Sequence, residues 1–137
     1  MRRKVKVVID TNIFISALLG SKTCKYIYTE WLKNSFQIII SQYLLEEIKE
    51  VLKRTKLGLK KEEITWLAKL IERRTLKVEP QKKISVCRDK KDNMVFECAL
   101  EGKVDFIITG DKDLLSISSL KGIKILSPSE FLKLIKS

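Results

Sequence analysis

The sequence predicts an α/β fold: a three-layer sandwich whose mostly parallel central sheet, of about five strands, lies between helices. Three observations predict it. Runs rich in Val and Ile recur along the chain and are nearly continuous, as parallel strands covered on both faces require. Helical patterns fill the gaps between those runs. The chain has only 2 prolines and 5 glycines, so its helices and strands run on with few interruptions. A length of 137 residues suits one domain spanning 1–137, and 45% hydrophobic content can fill one core. There is no internal repeat and no low-complexity linker.

Taken in order, Val5–Ile9 is an apolar run closed by Asp10, so the first strand covers about 4–10. Helices follow at about 12–19 and 23–33, and a strand at about 36–40. The next helix, about 42–54, buries Leu44, Leu45, Ile48, Val51 and Leu52 at steps of about 100° per residue. A helix at about 60–73 leads to a weaker strand near 75–79. The helix at about 92–101 turns Val95, Phe96, Ala99 and Leu100 inward, and strands follow at about 104–109 and 123–126. The last helix, about 129–136, has the best-marked start: Ser127-Pro128-Ser129-Glu130 is a capping box with proline at the first helical position. Trp31, Trp66 and Phe96 stand at helical core spacing, and are not counted as stacking platforms.

Composition narrows the partners. With 28 Lys and Arg against 17 Asp and Glu, the formal charge is +11, which favours a polyanion, most commonly nucleic acid. A thermophile's lysine-rich surface is the structural alternative, but such surfaces are usually balanced in sign. Cys24, Cys87 and Cys98 are odd in number and lack C-x-x-C spacing, which argues against disulfides and zinc and for free thiols in a reducing cytoplasm. The apolar run after Met1-Arg2-Arg3-Lys4 is too short for a signal-peptide core, and nothing approaches a membrane span.

The chemistry is expected at the carboxyl ends of the strands, where open parallel sheets bind ligands. Asp10 ends the first strand, and Asp111 follows the run Phe106–Thr109. Asp10 belongs to the strand end, and the cap of the following helix is expected at Asn12. Glu47 falls on the border of its helix's apolar stripe, whereas Glu46 falls opposite and is solvated. A rim salt bridge is the alternative use of Glu47. Asp92 is in register with Phe96 and Ala99 and points inward, while Glu97 and Glu101 point outward and are set aside. The competing account is that Asp89 caps that helix and Asp92 merely complements its positive N-terminus, and both can hold together. Asp113 is auxiliary to Asp111, since capping a short helix explains one of the two but not both. Carboxylates gathered this way repel by roughly 4 kcal/mol per close pair at an effective dielectric of about 20. Mg²⁺ or Mn²⁺ among them would offset that repulsion.

Val8-Ile9-Asp10-Thr11-Asn12, Ser41 with Leu44-Leu45-Glu46-Glu47, Arg88-Asp89-Lys90-Lys91-Asp92-Asn93 and Thr109-Gly110-Asp111-Lys112-Asp113-Leu114-Leu115 together resemble the motifs of the PIN-domain ribonucleases. The closing Ile125-Leu126-Ser127-Pro128-Ser129-Glu130-Phe131 is similar to the subgroup of VapC-like toxins in toxin–antitoxin systems. The resemblance runs from about residue 5 to about residue 134. It implies a PIN-like fold and a Mg²⁺- or Mn²⁺-dependent endoribonuclease. Asp10, Glu47, Asp92 and Asp111 would be the catalytic, metal-binding acids, Asp113 would adjoin them, and Asn12 and Thr109 would support the site. It also implies RNA as substrate, a small antitoxin protein as partner, and a homodimer.

The chain has no histidine, so an imidazole acid–base pair cannot cleave RNA here; metal-assisted hydrolysis is the economical route. Lys22, Lys25, Lys53, Arg54, Lys56, Arg88, Lys90, Lys91 and Lys112 are candidates for holding the phosphate backbone. Four other readings stay open: an RNA-processing enzyme, a structure-specific DNA nuclease, a phospho-accepting receiver-like domain and a non-catalytic nucleic-acid-binding module. The strand end Thr109-Gly110-Asp111, where a receiver needs a lysine, favours the nuclease.

Overall fold

The computed structural model of the chain describes residues 4–54 and 58–136; Lys56 lies outside the described residues. Strand β1 (Lys6–Ile9) runs directly into α1 (Thr11–Leu19) and α2 (Lys22–Leu32). Then come β2 (Gln37–Ser41), α3 (Gln42–Arg54), α4 (Lys61–Arg73) and β3 (Thr75–Val78). A segment without regular structure leads to α5 (Lys90–Gly102) and β4 (Phe106–Ile108). The chain ends with α6 (Lys112–Ile117), β5 (Ser119–Leu120), β6 (Ile123–Leu126) and α7 (Pro128–Lys136). The expected sandwich forms, with six strands instead of five. The added strand is β5. Lys121 and Gly122, at φ 49° and 84°, make a two-residue turn of the twist a hairpin favours, and β5 pairs antiparallel with β6.

The strand order is β3-β2-β1-β4-β6-β5, and every pairing except β5 with β6 is parallel. From β1 the chain builds outward through β2 to β3. Helix α5 then carries it back to β4, on the other side of β1. The strand order therefore reverses between β1 and β4, and the crevice above that junction is where such sheets bind ligands. Right-handed crossovers put α1–α4 on one face and the returning α5 on the other. Side-chain alternation agrees. Ile9 and Ile38 meet Phe14, Ile27 and Trp31 of α1 and α2. Ile39, one residue on, turns to α5, so closely that a Cβ on Gly102 would lie 2.5 Å from its Cγ2.

Trp31 anchors the first face. Phe14 and Tyr28 meet its ring edge-on at 5.8 and 5.6 Å, and its indole N–H donates to the carbonyl of Arg74 at 3.0 Å. Phe131 of α7 is buried against Phe36, with centroids 5.0 Å apart. Trp66 corrects the sequence reading: it is 62% exposed. The stripe α4 turns inward runs Ile64, Leu67, Ala68 and Ile71, and Trp66 lies about 200° around the helix from Ile64. The capping box of α7 forms as expected: Ser127 N–H donates to Glu130 Oε1 at 2.9 Å, and Glu130 N–H to Ser127 Oγ at 3.2 Å. The three cysteines are free thiols. No helix among the described residues is long and apolar enough to cross a membrane.

Candidate active site

Because β1 passes into α1 without a loop, Asp10 serves both elements. Its N–H donates to Ile108 O of β4 at 2.9 Å, and its Oδ1 accepts from Asn12 N at 3.3 Å as the N-cap of α1. The cap expected at Asn12 thus falls to Asp10, and Asn12 is exposed. The other oxygen of Asp10 accepts from Thr109 Oγ1 at 2.8 Å. Thr109 is wholly buried, and the same hydroxyl accepts from Asp111 N at 3.0 Å. One threonine thereby ties the carboxylate at the end of β1 to the backbone leaving β4. Asp111 caps α6 through Oδ1, which accepts from Asp113 N at 2.9 Å; Asp113 is exposed in the first turn.

Glu47 is half-buried on α3, as its helical position implies, and Glu46 is exposed, taken up by Gln42 Nε2 at 2.7 Å and Lys49 Nζ at 3.5 Å. Glu47 Oε1 accepts from Thr11 Oγ1 at 3.0 Å. Its Oε2 is buried without a hydrogen-bond partner. Thr11 was missed in the sequence. Its only signal is a hydroxyl beside Asp10, and which acid it holds depends on where α3 lies.

Asp92 stands in the first turn of α5, which Asp89 caps by accepting from Lys91 N at 2.9 Å. Burial, and then the charges of Asp111, Asp89, Asp10 and Asp113, push the Asp92 carboxyl up to about 6. Four acids drawn from β1, α5 and the β4–α6 turn thus share one electrostatic field, with Asp89 added. Glu47, held by Thr11, acts on Tyr43: burial, then the charges of Glu47 and Asp89, raise the Tyr43 hydroxyl. Burial, and then the charges of Asp92, Asp111, Asp89 and Asp113, also push the Cys87 thiol up, so it stays neutral at ordinary pH. Asp92 and Asp113 line a cleft of about 190 Å³ with Arg88, Asp89 and Ser116.

The outward-facing acids of α5 are not idle, contrary to the sequence reading. Asn93, Glu97 and Glu101 recur every four residues along one stripe of the helix. Glu101 Oε1 accepts from Gln81 N at 3.0 Å, Glu97 Oε2 from Ile84 N at 3.0 Å, and Asn93 Oδ1 from Cys87 N at 2.8 Å. Asn93 Nδ2 also donates to Cys87 O at 3.1 Å. These rungs fasten the segment 79–89 along α5 and carry Arg88 and Asp89 to the cleft. An extended segment with no neighbouring strand must satisfy its amides somewhere, and here the helix supplies the acceptors.

The donor set suits a hard divalent cation. It consists of oxygens, it is crowded with negative charge, and it includes the orphaned Glu47 Oε2. Among the described residues no three acids or thiols already converge on a single point. Mg²⁺ keeps several waters and is commonly held by one or two carboxylates, so it does not need a closed protein cage. Of the basic candidates, Arg88, Lys90, Lys91 and Lys112 flank the acids in sequence and are exposed. Lys53 is paired with Glu50 at 3.6 Å, and Arg54 Nε donates to Glu50 O at 3.4 Å.

This fold, with acids on both sides of the β1–β4 junction, is that of the PIN domain, and the family profile matches residues 6–113. The chain belongs to the PIN domain family, whose members are in general nucleases that use divalent metal ions. It is 33% identical over 143 aligned positions to the uncharacterized protein MJ1680 of Methanocaldococcus jannaschii, covering 95% of this chain and 91% of that protein. Among solved structures it resembles PAE2754 from Pyrobaculum aerophilum, with TM-score 0.64 and 16% identity over 97% of this chain and 90% of that one. It also resembles VapBC2 from Rickettsia felis bound to a DNA fragment from their promoter, with TM-score 0.62 and 14% identity over 90% of this chain and 98% of that one.

Proposed function

We propose that this chain is a Mg²⁺- or Mn²⁺-dependent endoribonuclease and the toxin of a toxin–antitoxin pair. The observation that carries the nuclease reading is the stitched junction: Thr109 holds Asp10 and the Asp111 backbone together while Asp92 and Asp113 face the same crevice. Asp10, Asp92 and Asp111, with Glu47 behind and Asp113 beside them, would hold the ion. When bound, it lowers the pKa of a water and neutralises charge on the leaving oxygen of the phosphodiester. The chain's own residues do the positioning. Thr109 fixes one carboxylate oxygen of Asp10 against the backbone amide of Asp111, and Thr11 holds one carboxylate oxygen of Glu47. Arg88, Lys90, Lys91 and Lys112 would draw the RNA backbone to a crevice that is itself acidic. The toxin assignment is supported by the motifs at the chain's end and by the fold shared with VapBC2 of Rickettsia felis.

The test is incubation with defined RNAs in Mn²⁺ or EDTA, beside the Asp10→Asn variant. Asn caps a helix as well as Asp, so the variant should stay folded while metal-dependent cleavage is abolished. Unimpaired cleavage would remove the site assignment. Cleavage unaffected by EDTA would remove the metal.

A further inference from the structure

A larger cleft, of about 520 Å³, opens at the carboxyl ends of β2 and β3, on the same edge of the sheet as the acids. Its volume is in the range of small-molecule sites. Tyr43, Val78, Pro80 and Met94 wall it, and Gln42 and Glu97 stand among them. The walls share their elements with the acids. Tyr43 lies one turn before Glu47 on α3, and Met94 lies two residues after Asp92 on α5. Tyr43 is 38% exposed, and burial, then the charges of Glu47 and Asp89, push its hydroxyl up. Gln42 already spends its amide N–H on Glu46, and Glu97 spends one oxygen on Ile84 N; both groups are thereby fixed in place.

We infer that this cleft is a nucleobase subsite, in which Tyr43 and Met94 take the face of a base next to the phosphate lying at the acids. The inference rests on the nuclease reading and names its substrate as a single strand with an unstacked base. Every base has a π-face, so aromatic and thioether walls hold one with little regard to sequence. A base paired within a duplex cannot enter. An acidic crevice repels phosphate until it is neutralised, so an attractive contact a short way along the strand gives the substrate its register before any reaction.

The test reads binding rather than cleavage. A short oligoribonucleotide carrying 2-aminopurine at successive positions is titrated with the protein in EDTA, so that no cut confuses the signal. The native chain should quench the fluorophore at one position, and Tyr43→Phe should keep that quench. Tyr43→Ala should abolish it and weaken binding by about tenfold. Tyr43 is partly exposed, so its truncation leaves the fold intact, which a melting curve checks. Equal quenching by the native and Ala variants, or none by either, overturns the subsite. A protein that shows the Tyr43-dependent quench yet cuts no RNA in Mn²⁺ supports the subsite and sinks the nuclease. A protein that cuts with no such dependence does the reverse.

Discussion

Asp92 is a carboxyl whose folded value, about 6, lies above the ordinary 3.8 because burial and like charges oppose its ionisation. The native state therefore holds its proton more tightly than the unfolded chain does. In the metal-free protein, the contribution of Asp92 to stability is greatest at low pH, falls as pH rises from about 4 to about 6, and stays low above that. Asp92→Asn should accordingly raise the melting temperature in EDTA at pH 8, and the gain should shrink by pH 5; melts across that range check it. Mg²⁺ should raise the melting temperature of the native chain more at pH 8 than at pH 5, since proton and ion compete for the same oxygens. Thr11 makes a different demand. Thr11→Val preserves shape but strips Glu47 of its donor, leaving both of its oxygens half-buried and unpartnered. A loss of about 1–3 kcal/mol is expected by denaturant titration. The loss should be partly restored in Glu47→Gln, which removes the charge.

At the scale of elements, the segment 79–89 depends on three side chains of α5. Asn93 is the rung nearest the acids, and Asn93→Ala removes both of its hydrogen bonds to Cys87. Faster hydrogen exchange at the amides of Ile84 and Cys87, with little change in the sheet, is the expected result. Gly102 tests the other end of the helix. Gly102→Ala improves helix propensity, but its methyl meets the buried Ile39, and overpacking of that kind costs about 1–3 kcal/mol. A raised melting temperature would show that Ile39 yields easily. The elements also mark what could be read beforehand. β1, β2, β4 and β6 were legible because parallel strands buried on both faces leave unbroken Val and Ile runs. β5 was not, being two residues long and made by turn conformation rather than by hydrophobic period, and α6, six residues long, was signalled only by the acids that could cap it. The rungs of α5 escaped because polar side chains set outward on a helix look solvated until a neighbouring backbone is known.

The whole molecule carries +11, yet its crevice is acidic. If Arg88, Lys90, Lys91 and Lys112 contact phosphates, the logarithm of RNA affinity should fall with the logarithm of salt at a slope of about −3, at about 0.7 per contact. Lys91→Gln should reduce that slope by about 0.7, as read by fluorescence anisotropy over a salt series. An unchanged slope would remove Lys91 from the footprint. The acids at strand and helix ends were visible in sequence because each interrupts an apolar pattern. Which oxygen bonds to which threonine was not, because those partners meet only once the sheet has assembled. Asp10 and Thr109 are 99 positions apart, and pairings so distant along a chain form after local ones. A half-synthesised polypeptide therefore bears the first aspartate and the α3 glutamate with nothing to set them against. If these acids carry the proposed activity, it cannot begin on the ribosome until β4 and the turn to Asp113 have emerged and docked.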